Sequence, residues 1–95
     1  MINYSIQKTP SELLKEIALK HRLLRKHAKM SQAELAERSG VSLGSLKRFE
    51  STGKISLESL LKLLNILGNL HEFENIMELG ESLKDVEKLF SDKTR

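Results

Sequence analysis

Cysteine is absent from the 95 residues, which rules out disulfides and thiolate metal sites and is compatible with a reducing cytoplasm. Long apolar runs are missing too. The first stretch, Met1-Ile2-Asn3-Tyr4-Ser5-Ile6-Gln7-Lys8, lacks the apolar core of a signal peptide. No segment approaches the roughly 20 apolar residues that cross a bilayer. A soluble, cytoplasmic protein with no membrane partner is therefore expected. No nucleophile motif, Gly-rich phosphate loop, internal repeat or low-complexity linker occurs, and enzymatic activity has no support. His21, His27 and His71 do not form the tight His/carboxylate spacing of a metal site, so neither metal nor cofactor is expected. The acidic run Glu72, Glu74, Glu78 and Glu81 reads as a solvated helix face. What remains is one domain large enough for a modest core.

The formal charge of +3 is unevenly placed. Residues 1–68 carry 12 Lys/Arg against 6 Asp/Glu, whereas residues 69–95 carry 4 against 7. A basic body with an acidic tail suits a nucleic-acid surface on one part and a different role on the other. Solvated charged faces are the blander explanation, and charge alone does not decide between them.

Proline occurs once, in Thr9-Pro10-Ser11-Glu12, where Thr9 caps a helix, Pro10 takes its first position and Glu12 closes a capping box. The spacing predicts a helix from there to about His27 or Ala28, with Leu14, Ile17, His21, Leu24 and Ala28 inward and Leu13, Leu19 and Leu23 in surplus. Ahead of it, Ile2, Tyr4 and Ile6 alternate with polar residues as in a short extended arm. Ser56 caps a later helix with Leu57, Leu60, Leu61, Leu64 and Leu67 inward, leaving Leu63, Ile66 and Leu70 outside that stripe, and Gly68 ends it. Leu70, Phe73, Ile76 and Met77 predict a fifth helix ending near Gly80; Leu83, Val86, Leu89 and Phe90 predict a weaker sixth.

The chain's organising stretch is residues 31–50. Ser31 caps a short helix, with Glu34 closing a capping box and Leu35 and Ala36 facing inward. Gly40 supplies the left-handed turn, Val41 plugs it, and Ser42 caps a second helix whose Leu46 and Phe49 face inward. Two short helices clamped about a tight turn have the spacing of a helix-turn-helix, whose second helix enters the major groove of DNA. With that inward set fixed, Ser42, Leu43, Gly44, Ser45, Lys47, Arg48 and Ser51 remain outward. Arg48 is the leading base reader, because its planar fork matches the two acceptors of guanine. Lys47 is a secondary base or phosphate contact, Leu43 can touch a thymine methyl, and Gly44 allows close backbone approach. Ser31, Ser42, Ser45 and Lys54 are candidate phosphate ligands, the serines serving as caps at the same time. The loop Ser51-Thr52-Gly53-Lys54-Ile55 suits passage beside a phosphate.

Leu24-Arg25, Met30-Ser31-Gln32-Ala33-Glu34-Leu35-Ala36, Ser39-Gly40-Val41-Ser42, Leu46, Phe49-Glu50, Gly53 and Ser59 to Leu64, running on to Leu67-Gly68, carry a resemblance to the phage lambda repressor-like, or Xre-type, helix-turn-helix proteins over roughly residues 22–68. The resemblance implies an all-α, lambda repressor-like bundle, here of five to six helices with a short extended N-terminal arm. It also implies double-stranded DNA as partner, bound as a homodimer on a pseudo-palindromic operator to control transcription, most simply as a repressor. By the same resemblance, the Gln32 amide contacts phosphate and Arg25 and Glu50 form a structural ion pair. The chain departs from the pattern at Lys29, where relatives often carry Gly, and at Leu43-Gly44, where they often carry polar readers. Its length and acidic C-terminal third also resemble the HipB-like antitoxins, for which a toxin protein is a second partner. A helical protein-interaction module that has lost DNA binding is the third reading, motivated by Leu43-Gly44.

Overall fold

Among the described residues four α-helices follow one another, each opened by a hydroxyl cap. α1 spans Pro10–His27 and starts with the complete Thr9–Glu12 capping box: Thr9 Oγ1 accepts from Glu12 N–H at 3.1 Å, and Glu12 Oε1 accepts from Thr9 N–H at 2.9 Å. α2 spans Gln32–Ser39 behind Ser31, α3 spans Leu43–Thr52 behind Ser42, and α4 spans Leu57–Leu67 behind Ser56. A 3-10 turn, Leu70–Phe73, follows. The computed structural model describes residues 8–78. The extended arm at Ile2–Ile6 and the sixth helix at Leu83–Phe90 lie outside them. Among the described residues there is no strand, and no helix is long and apolar enough to cross a membrane.

The core is built where α1 lies on α3 and where α2 meets both α3 and α4. Leu35, Leu46, Phe49 and Leu63 are its largest fully buried apolar side chains, joined by Ala18, Ala36, Val41, Leu60 and Leu64. The inward faces of α2 and α3 are the expected ones; those of α1 and α4 are rotated. On α1 the buried residues are Ala18, His21 and Arg25, while Leu14 is 41% exposed and Ala28 lies at the surface. Small Ala18 lets α1 approach α3 closely, and Arg25 is drawn inside because Glu50 waits there to compensate it. Apolar periodicity cannot detect a stripe that is half polar. On α4, Leu63 is fully buried and Leu57 is 60% exposed, since the facing helix α2 meets the Leu60–Leu63–Leu64 side.

The expected fifth helix is also corrected. After Phe73 the backbone continues in tight turns, with Glu74 N–H on His71 O and Ile76 N–H on Phe73 O. Asn69 offers the 3-10 turn no side-chain cap, and only Phe73 of this segment packs on the core, leaving Met77 89% exposed.

Between α1 and α2 the chain reverses through Lys29, whose φ of 61° is left-handed backbone on a residue with a Cβ. The turn is held by Met30 N–H on Arg25 O at 3.2 Å and by Arg25 Nη1 donating to Met30 O at 2.9 Å. A left-handed conformation costs a non-glycine residue about 1–2 kcal/mol. Lys29→Gly should therefore stabilise the fold by about 0.5–1 kcal/mol, once the extra freedom of glycine in the unfolded chain is deducted, and this is read as a raised urea midpoint.

Candidate nucleic-acid interface

Ser39-Gly40-Val41-Ser42 joins α2 to α3 through Gly40 at φ 80°, whose N–H bonds back to Ala36 O at 3.0 Å. Val41 is buried and Ser42 caps α3, accepting from Ser45 N–H at 3.1 Å. Burial of Leu46 and Phe49 turns the opposite side of α3 outward, so Gly44, Ser45, Lys47 and Arg48 are exposed on it. Leu43 is only half outward, since it packs partly against the core; it therefore offers less to a base than its position on the helix implies.

The serines do the work of caps. Ser31 Oγ accepts from Glu34 N–H at 3.0 Å, but the expected box is half closed, because the Glu34 carboxylate pairs with Arg38 at 2.8 Å. Ser42 Oγ donates to Ser45 Oγ at 2.9 Å while accepting the cap bond, which commits its hydroxyl hydrogen inside the protein. Ser31 and Ser45 each keep a hydroxyl hydrogen that no bond within the helix cap consumes.

Two clefts flank α3. One, about 290 Å³, is lined by Ser45, Arg48, Lys54, Ile55, Ser56 and Ser59. It brings Arg48 and Lys54 together with the N-terminus of α4, whose free N–H groups and dipole favour an anion. The other, about 360 Å³, is lined by Arg22, Arg25, Ser31, Gln32, Glu50 and Ser51. Arg22 was not foreseen: it sits outside the apolar stripes of α1, and only the packing of α1 across the end of α3 brings it to this rim.

The floor of the second cleft is a polar network centred on Glu50, whose side chain is 4% exposed. Arg25 grips it with both edges, Nη2 to Oε1 at 2.9 Å and Nε to Oε2 at 3.0 Å, the fork geometry that arginine alone provides. Gln32 Nε2 donates to Oε1 at 2.9 Å. The expected ion pair is thus present, and the Gln32 amide is fixed from below by the acid at the end of α3. Three elements are tied at one carboxylate: α1 by Arg25, α2 by Gln32 and α3 by Glu50 itself.

A fourth donor was missed. His21 Nδ1 lies 2.9 Å from Glu50 Oε2, and the ring packs edge-on against Phe49 at 5.0 Å. The sequence offers a clue, since His21 stands one helical turn before Arg25 and therefore shares its face. Burial pushes the His21 imidazole below its ordinary value, and Arg25 adds to this against the opposing pull of Glu50. Burial alone pushes the Glu50 carboxyl up, yet the hydrogen bonds from Arg25 and Gln32 and the Arg25 charge prevail and hold it below the usual carboxylate value. The pair is therefore a neutral imidazole donating from Nδ1 to a carboxylate, a tautomer assigned from the network.

The family model described as Helix-turn-helix matches residues 22–74, which takes in α2, α3, α4 and the end of α1. No curated protein and no solved structure matches the chain.

Proposed function

This chain belongs to the lambda repressor-like, Xre-type helix-turn-helix family of DNA-binding regulators, and we propose that it is a repressor that binds a pseudo-palindromic operator as a homodimer. The observation that carries the reading is the exposed side of α3, with Lys47 and Arg48 outward, between two clefts bearing Arg22, Gln32 and Lys54. Arg48 reads a base, Lys47 backs it or takes a phosphate, and Gly44 and the half-buried Leu43 admit close approach. Ser31, Gln32, Ser45 and Lys54 hold phosphates on either side; Ser42, with its hydroxyl committed to the cap, contributes through its helix end. Two-fold symmetry spaces the half-sites by about one helical turn, roughly 34 Å. Exposed Leu13, Leu19 and Leu23 on α1 and Leu57 on α4 supply apolar surface for self-association.

Selection of duplexes from a random pool tests the reading. A symmetric consensus with a steep loss of affinity at rising salt is expected; absence of binding even at low salt sinks it. On the selected duplex, Arg48→Ala should cost about 1–3 kcal/mol and relax preference at one base pair. Lys54→Ala should instead weaken all duplexes alike and reduce the salt slope by about 1. Unchanged base preference in Arg48→Ala would remove that residue as the reader.

A further inference from the structure

His21 is 2% exposed, and its second ring nitrogen, Nε2, has no hydrogen-bond partner. A buried nitrogen without a partner is uncommon enough to need a reason. The same residue forms part of the wall of an apolar groove of about 230 Å³ between α1, α4 and the 3-10 turn. Every element packed around the ring can be read for charge. α3 presents Glu50, and α1 presents Arg25 on the network side and Lys20 at the groove. The 3-10 turn presents Glu72 at the groove, while α4 presents only Leu60 and Leu64 there.

We propose that His21 is a positioning residue for DNA docking: in its neutral form it holds Glu50, and through Glu50 the Gln32 amide and the end of α3, and a proton on its Nε2 releases that hold. The inference rests on the DNA-binding reading above. Neutral His21 spends its one N–H on Glu50 Oε2 and leaves Nε2 as a bare acceptor, whose burial is tolerable. Protonation turns the buried Nε2 into a charged donor with no acceptor, and the cost of burying that charge outweighs the attraction of Glu50 for it. The ring relieves the cost by turning out toward the groove, where Glu72 lies, and Oε2 then keeps only Arg25 Nε. DNA lying across α2 and α3 opposes this opening, so the bound protein resists the proton more than the free protein does. By linkage, acid must then weaken binding.

The sign is diagnostic, because ordinary electrostatics gives the opposite one: positive charge added to the protein tightens DNA binding. Affinity of the full chain for the selected duplex is measured at pH 7.5 and 5.5 at fixed ionic strength, for the wild type, His21→Gln and His71→Gln, with circular dichroism confirming that each is folded. The wild type and His71→Gln should lose affinity relative to His21→Gln, by up to about tenfold per pH unit below 6.5, the limit for one linked proton. Equal pH ratios in wild type and His21→Gln overturn the proposal. Ring 15N spectra of the free wild type decide the clamp without DNA or any variant. At pH 7.5 the His21 proton belongs on Nδ1, and an Nε2–H tautomer overturns the proposal whatever the binding data show. Failure of all three proteins to bind at pH 7.5 removes the DNA reading instead, and with it the docking role of His21.

Discussion

Glu50→Ala is expected to destabilise the protein by about 3–5 kcal/mol, the range for deleting one partner of a buried ion pair. The carboxylate accepts from His21, twice from Arg25 and from Gln32, so its loss strands three donor groups at once. Arg25, 7% exposed, would keep only the Met30 carbonyl. For a small domain whose whole stability is about 5–15 kcal/mol, that removes a large share of it, visible as a lowered urea midpoint. The double substitution Arg25→Met/Glu50→Leu separates stability from function. Replacing both charges with apolar groups of similar size should recover the part of the loss that comes from the stranded Arg25 charge, while His21 and Gln32 stay unpaired. It should not recover DNA affinity, because the Gln32 amide still lacks the acceptor that places it at the mouth of α2. If the double variant binds the selected duplex as tightly as wild type, the network serves stability alone.

The same network makes acid destabilising, and the sign follows from both groups. His21 is held below its ordinary value, so the unfolded chain takes up a proton first and stability falls as the pH drops below about 6.5. Glu50 is held below its ordinary value as well, so its contribution is present above about 4.5 and is lost as the pH falls through the folded value. The two windows are successive, and unfolding midpoints followed from pH 7 to 3 should decline in two stages, of which His21→Gln removes the first.

Local chemistry was legible in the sequence. Thr9, Ser31, Ser42 and Ser56 cap the helices they were expected to cap, and Gly40 turns the motif, because a cap or a left-handed turn is decided within four residues. Which face a helix buries is decided by its neighbours, and local spacing does not encode them. Leu63 was left outside the stripe of α4 and proves fully buried; Ala18 was passed over because a small side chain carries little apolar signal, although smallness is what close packing on α3 uses. At the site, the outward position of Lys47 and Arg48 followed from the inward position of Leu46 and Phe49. The Arg25–Glu50 pair comes from resemblance; the inward position of His21 follows from spacing, but its bond to Glu50 does not, because that partner lies 29 residues away. Hydrophobic periodicity scores a histidine in a core stripe as neutral and says nothing of what it bonds.

Gly53→Ala is the other substitution with a large expected effect, and its comparison with Gly40→Ala isolates the cause. Both glycines cap a helix in left-handed backbone, at φ 84° and 80°. An alanine in that conformation costs about 1–2 kcal/mol. At Gly40 a Cβ would meet nothing within 4 Å, so Gly40→Ala should stop at that cost. At Gly53 it would sit 2.7 Å from Leu14 O, 2.8 Å from Leu14 C and 2.9 Å from Leu14 Cβ, two of them backbone atoms of α1. No side-chain rotation relieves backbone overlap; either α1 or the α3–α4 turn must move. Overpacking adds about 1–3 kcal/mol, which brings Gly53→Ala to about 2–5 kcal/mol. Gly53 thus belongs to the body of the fold rather than to the exposed loop in which its sequence neighbours place it. Because the loop would have to shift to admit the new methyl, Lys54 should shift with it, and the residual folded protein should bind all duplexes more weakly. Equal urea midpoints for the two variants would mean that α1 yields freely, and the contact of Leu14 with Gly53 would then have no part in fixing α1 against the recognition helix.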